Sequence, residues 1–187
     1  MNMDLKEAAK VVKDGGVILY PTETICGLGC DARNQKAIDR IFEIKNRPKS
    51  KSVLSLFSSE QMLLRHFKDI PDVAWELMEL ATTPTTVILD NPVGLAPGAV
   101  SEEGTAAVRW VKSGLVHELI EMVNVPLTSS SVNISGEPPA LTVKKVPAYI
   151  KEQVDYVLYE REGEIGTGIP SSIIRIRASG ELQIIRK

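Results

Sequence analysis

VILYPTETICGLGCDARNQKAIDRIFEIK, residues 17–45, contains an apolar run, a polar turn and a helical repeat in that order, and this order decides how the chain is built. VILY at 17–20 reads as a short buried strand. It runs straight into PTETICGLGC, where Pro21 keeps the residue before it extended, Thr22 and Thr24 bring hydroxyls, and Gly27 and Gly29 permit close backbone approach. Neither a Walker loop nor a dinucleotide fingerprint has this spacing. Taken alone, the segment suits a tight structural turn or a ligand loop. After Asn34, the residues Ala37, Ile38, Ile41, Phe42 and Lys45 recur at helical period, and Pro48 lies past the end, so Lys45 falls in the last turn.

On the N-terminal side, Leu5, Ala8, Ala9 and Val12 share one helical face that stops at Gly15 and Gly16. On the C-terminal side, KSVLSLF at 51–57 and TTVILD at 85–90 read as strands. Between them lie two short helices broken near Asp69, with Pro71 suited to the first turn of the second. NPVGLAPGAVSEEGT is a turn-rich connection. TAAVRWV from 105 is a strand that carries Arg109 among apolar neighbours, where an arginine needs a partner or a wet cavity. GLVHELIEMVN is a further amphipathic helix, and PLTSSSVNISGEPP is a strand running into a loop. Residues 142–153 suit a helix that Pro147 would interrupt, and DYVLYE, SSIIRIR and ELQIIRK are three late strands, the last two joined by ASGE as in a hairpin. The sum is an α/β fold with a mixed sheet and no internal repeat.

With 187 residues, 43% apolar and 25% charged, the chain has the size and composition of one soluble domain spanning 1–187. A formal charge of −2 argues against a whole-surface positive field for long nucleic acids, so any phosphate affinity is focal. The N-terminus has no apolar signal segment and no stretch is long enough to cross a membrane, which makes a cytoplasmic protein the expectation. Cys26 and Cys30 are too few for a disulfide framework and lack further soft ligands, so they read as reduced core thiols. His66 and His117 are isolated within helices and build neither a metal site nor a catalytic triad.

Four polar segments adjoin apolar strands. FEIKNRPKSKS at 42–52 gathers Lys45, Arg47, Lys49 and Lys51 at alternate positions: if the segment after the helix is extended, Arg47, Lys49 and Lys51 share one face, and Lys45 comes from the helix end. Such cations either face water or converge on an anion such as a polyphosphate, for which arginine offers a fork and lysine a mobile point charge. Ser131 and Asn133 either satisfy a turn or hold a ribose, base edge or carboxylate. GTGIPSSIIR adds Thr167, Gly168, Ser171, Ser172 and Arg175, explained by a hairpin edge or by the wall of a shared polar cavity.

From near residue 4 to the closing IIRK, the chain resembles the YrdC-like family, which includes the threonylcarbamoyl-AMP synthases of tRNA modification. The resemblance rests on YPTETICGLGCDA at 20–32, the K-x-R of Lys45 and Arg47 with Pro48 and Lys51, AVRW at 107–110, and SVNISG at 131–136. It implies a twisted α/β domain, a mixed sheet with flanking helices around a concave basic cavity, in the short single-domain form. It implies an ATP-dependent nucleotidyltransferase that makes threonylcarbamoyl-AMP and pyrophosphate from L-threonine, bicarbonate or CO2, and ATP, with Mg2+ accompanying ATP and no organic cofactor. The product would pass to the tRNA threonylcarbamoyl-transfer machinery, with weak RNA contact at most and no membrane partner. Carried over by motif, Lys45 and Arg47 are the catalytic candidates. Thr22, Thr24, Lys51, Arg109, Ser131, Asn133 and Ser171 are the substrate- and nucleotide-binding candidates, and no residue is assigned to a metal. The alternative is an RNA-binding or nucleotide-binding paralogue without synthase activity. Two positions depart from the family pattern: Thr82-Thr83-Pro84 replaces a Pro-Gly-Pro, and Val132 replaces alanine between the serine and asparagine of S-x-N.

Overall fold

The computed structural model describes residues 3–46, 52–132 and 140–187. Helix α1 (Met3–Lys13) buries the stripe of Leu5, Ala8, Ala9 and Val12 that its spacing predicts. Strand β1 (Ile18–Tyr20) is buried along its whole length because its two faces serve different clusters. Ile18 and Tyr20 pack with α1, while Leu19 packs with Ile38, Ile41 and Phe42 of α2 (Gln35–Ile44). The Asn34 side chain caps α2 by accepting from the Ala37 N–H, and Lys45 closes its C-terminal end.

Gly27–Gly29, read from sequence as part of a turn or ligand loop, is instead strand β2, antiparallel to β1. Glycine is usually poor in a strand because it has no side chain to pack. Here the Tyr20 ring takes that place. A Cβ on Gly29 would lie 2.5 Å from Tyr20 Cε1 and 2.6 Å from the Thr128 carbonyl oxygen, and the Tyr20 hydroxyl donates to that same carbonyl at 2.8 Å.

The chain continues through β3 (Leu54–Phe57), α3 (Glu60–His66), α4 (Asp72–Leu80), β4 (Thr85–Asp90), β5 (Thr105–Trp110), α5 (Gly114–Val123) and β6 (Leu127–Ser131). It ends with α6 (Ala148–Lys151), β7 (Tyr156–Val157), β8 (Ser172–Ile176) and β9 (Leu182–Arg186). Pro71 caps α4 rather than entering its first turn, and its carbonyl accepts from Ala74 and Trp75. The helix expected over 142–153 is divided: a 3-10 turn at Val143–Lys145 and the short α6 flank Pro147, which has no N–H to carry a continuous helix.

Among the described residues, nine strands form one mixed sheet in the order β7-β1-β2-β6-β3-β5-β4-β8-β9. The pairs β1/β7, β3/β5 and β4/β8 are parallel and the other five are antiparallel. This is the expected single α/β domain with helices against a mixed sheet. No described helix is long and apolar enough to cross a membrane.

Candidate functional site

Strand register builds the site. Leu54 pairs with Ser129, Leu56 with Arg109, Thr86 with Ile173, and Ile173 with Arg186. Paired residues share a face of the sheet, and side chains alternate along each strand. One face therefore presents Ser129, Leu54, Ala107, Arg109, Thr86, Ile173 and Arg186 across six adjoining strands. At three of these positions the side chain is small, Ser129, Ala107 and Thr86, so the face is left hollow. A recess of about 350 Å³ lies over it, closed at the sides by Thr24, Ser131 and Ser171. Its described lining includes Arg109 and Arg186 and no carboxylate.

The polar turn reaches this recess in a defined shape. The Thr22 hydroxyl accepts from the N–H groups of Thr24 (3.1 Å) and Ile25 (3.2 Å) and donates to the Ile25 carbonyl at 2.8 Å. Thr22 is thus spent on shaping the turn, and it lines a neighbouring recess, whereas Thr24 lines the recess over the sheet. The structural turn read from sequence is formed by Thr22, and Thr24 is the threonine placed at the recess. GTG at 166–168 clamps the turn from outside: Thr167 N–H donates to the Glu23 carbonyl at 3.0 Å and Gly168 N–H to the Thr24 carbonyl at 2.9 Å. Gly166 runs so close that a Cβ there would stand 2.3 Å from the Thr24 oxygen.

Arg109, for which sequence demanded a partner or a cavity, has both. Its side chain is 7% exposed; Nη1 donates to Glu23 Oε1 at 2.8 Å, and Nη2 lies 3.4 Å from the Ser171 hydroxyl. Ser171 is a hub. Its Oγ is 2.8 Å from Thr86 Oγ1, and its carbonyl accepts from Arg186 Nε at 3.0 Å and Nη2 at 2.7 Å. Glu23, Thr86 and Arg186 were not among the candidates. The acid between the two threonines and the demand of Arg109 for a partner together pointed toward Glu23, but the penultimate Arg186 carried no local signal.

Lys45 extends from the end of α2 to β6, where its ammonium donates to Ser130 Oγ at 3.1 Å and to the Ser131 carbonyl. Leu28 pairs with Ser130, so Lys45 meets β6 from the α2 side while Ser129 and Ser131 face the recess. Thr24, Arg109, Ser131 and Ser171 line the recess over the sheet, and Lys45 meets this group only through β6, at Ser130 and the Ser131 carbonyl. Arg47, Lys51 and Asn133 lie outside the described residues.

The two departures from the family pattern have separate places. Thr82, Thr83 and Pro84 line an outer recess of about 330 Å³, not the one over the sheet. The lost glycine asks nothing of the backbone, since the only non-glycine residues with positive φ among those described are Asn46, Asn91 and Asn124. Val132 is 3% exposed and fills the cluster that contains Cys26 and Leu28. Both cysteines are free and buried, and burial pushes their thiols up to about 12. His66 is buried with Nδ1 2.8 Å from the Val93 carbonyl, and desolvation holds its imidazole below the ordinary histidine value. Among the described residues no group of three His, Cys, Asp or Glu could hold a metal ion.

Comparison with known proteins gives a consistent picture. The family model Sua5_yciO_yrdC, described as telomere recombination, matches residues 10–187. The threonylcarbamoyl-AMP synthase of Pseudomonas aeruginosa (strain UCBPP-PA14) is 36% identical over 182 residues, 96% of this chain and 94% of that protein. The synthase of Vibrio vulnificus (strain YJ016) is 34% identical over 179 residues, 94% of each. Among solved structures, P. abyssi Sua5 complexed with L-threonine superposes with a TM-score of 0.82 at 28% identity, over 91% of this chain and 50% of that one. The chain thus spans about half the length of that relative. E. coli YciO matches in fold with a TM-score of 0.83 at 22% identity, over 98% of this chain and 88% of that one.

Proposed function

Since the chain belongs to the Sua5/YciO/YrdC family, we propose that it is a threonylcarbamoyl-AMP synthase, joining L-threonine, bicarbonate or CO2, and ATP into threonylcarbamoyl-AMP and pyrophosphate. The observation that carries this reading is the recess over the sheet, whose described lining joins buried Arg109 and the more exposed Arg186 to the hydroxyls of Thr24, Ser129, Ser131 and Ser171 and contains no carboxylate. Such a lining suits a small, hydroxylated carboxylate next to a nucleotide.

The chemistry needs no protein nucleophile. The neutral amine of threonine forms an N–C bond to CO2 and loses a proton, giving a carbamate. A carbamate oxygen then bonds to the α-phosphorus of ATP as the bond to pyrophosphate breaks. The obstacle is that one anion approaches another while charge grows on the leaving diphosphate. The protein answers by position and electrostatics.

In this reading Arg109 and Ser171 hold the threonine carboxylate, and Thr24 lines the same subsite. Lys45 and Arg47 of the K-x-R motif, with Lys51 after it, are assigned to the phosphates, and Ser131 with Asn133 to the nucleotide. Mg2+ accompanying ATP would supply further charge neutralisation, and no described residue is assigned to hold it. The product is handed to a tRNA threonylcarbamoyl-transfer machinery in the cytoplasm.

The test is mass spectrometry of reactions holding ATP, Mg2+, threonine and bicarbonate, with each omitted in turn. A product mass of threonylcarbamoyl-AMP that requires all three substrates is expected. Its absence from a folded protein that binds ATP would overturn the assignment and leave a nucleotide-binding or RNA-binding paralogue.

A further inference from the structure

We infer that Glu23 is the positioning residue of the carboxylate subsite, an acid that fixes the Arg109 guanidinium from behind and keeps its remaining N–H groups for the substrate. The inference rests on the synthase reading and adds to it a residue that no motif assigns.

The geometry is asymmetric. Arg109 lines both the recess over the sheet and the outer recess beside Trp110, whereas Glu23 lines the outer one and a third recess of about 390 Å³ but not the one over the sheet. The ion pair is therefore part of the wall between inner and outer space. On its outer side Nη1 is taken by Glu23 at 2.8 Å. What is left is Nη2, in weak contact with Ser171 at 3.4 Å, and Nε, which is buried and has no hydrogen-bond partner among the described residues. A guanidinium is a rigid fork of five donors, so holding one end aims the others. An unpaired buried donor on a charged group is unfavourable, and a carboxylate bound in the inner recess relieves it.

The backbone prepares Glu23 for this task. The hydroxyl bonds of Thr22 fix the turn on one side, and the Glu23 carbonyl is gripped by the Thr167 N–H at 3.0 Å on the other. The carboxylate is 38% exposed against 7% for the Arg109 side chain, so the acid is solvated at the outer face while the cation is carried inward. Without the acid, the guanidinium has no strong partner among the described residues and turns to whichever recess holds water.

The test compares the wild-type chain with E23A and E23Q in initial-rate kinetics and in calorimetric binding of L-threonine and L-threoninol, which lacks the carboxylate. Loss of a charge-assisted anchor predicts that E23A raises the threonine KM about tenfold or more while the ATP KM moves less than about twofold. E23Q, whose amide oxygen still accepts from Nη1, recovers most of the threonine affinity. E23A also loses the preference for threonine over threoninol. A merely structural role would lower the melting temperature and leave that preference intact. If folded E23A matches wild type in threonine KM and in this preference, the inference is overturned and the synthase reading stands. If E23A does not fold, E23Q decides: loss of the charge alone raises the threonine KM by about two- to fivefold with the ATP KM unchanged, and a threonine KM raised no more than the ATP KM overturns the inference. A wild-type chain that neither binds threonine nor forms product overturns both.

Discussion

Replacing Lys45 with alanine tests the meeting of α2 and β6 and the charge delivered there. The ammonium makes two hydrogen bonds to β6, one to Ser130 Oγ at 3.1 Å and one to the Ser131 carbonyl. Bonds of this charged kind stabilise a fold by about 1.5–3 kcal/mol each where well enclosed. Lys45 is only half-buried, so about 1–2 kcal/mol in total is the better figure, a fall of about 2–8 °C in melting temperature for a domain of this size. The effect on rate is larger. A donor aimed at charge that grows in the transition state contributes about 2.7–4 kcal/mol, a loss of about 10²–10³ in kcat.

The companion variant S130A separates the two roles. It removes one acceptor of the ammonium but no charge, so it loses about 1 kcal/mol of stability and less than about tenfold in rate. The assay is pyrophosphate release dependent on threonine and bicarbonate, paired with thermal unfolding. K45A with a wild-type fold and a rate within about threefold of wild type would refute the electrostatic role. S130A as slow as K45A would show instead that docking of α2 onto β6 is what matters.

Gly29→Ala forces a Cβ to within 2.5 Å of Tyr20 Cε1 and 2.6 Å of the Thr128 oxygen, so β1, β2 and β6 must separate locally. A loss of about 2–3 kcal/mol is expected, read as a lower denaturant midpoint with little change in slope, and an unchanged midpoint would contradict the packing described. The buried thiols predict slow alkylation of the native protein at pH 8 and fast alkylation in denaturant. Their folded pKa lies above the unfolded one, so the unfolded state releases its protons first. Stability falls as pH rises from about 8.5 toward the folded value of about 12. Replacing both cysteines with alanine should flatten that alkaline decline; an unchanged slope would assign it to other groups.

The helix faces and most strands were legible in the chain because periodicity is local. Ala37, Ile38, Ile41 and Phe42 stand on one stripe whatever they pack against, and TTVILD forms β4 over its whole length. The GLG strand was not legible, because what makes it a strand is a tyrosine ring seven to nine residues earlier and a carbonyl on β6. The site divides in the same way. The motifs named Lys45, Thr24, Arg109 and Ser131, the polar segment GTGIPSSIIR offered Ser171, and local pattern even showed that Arg109 required company.

Which residue supplied that company was a tertiary decision. Glu23 and Arg109 are separated by 86 positions, Lys45 and Ser130 by 85, and Thr86 and Ser171 by 85. Only the sheet order brings them within hydrogen-bond reach. A sequence states which side of each element is buried, since the spacing of apolar residues follows helix and strand geometry. The neighbour across the gap is chosen by strand register and by side-chain volume summed over distant segments. That is why Arg186, the last residue of β9, stands in a recess whose floor is laid down largely by β3 to β6.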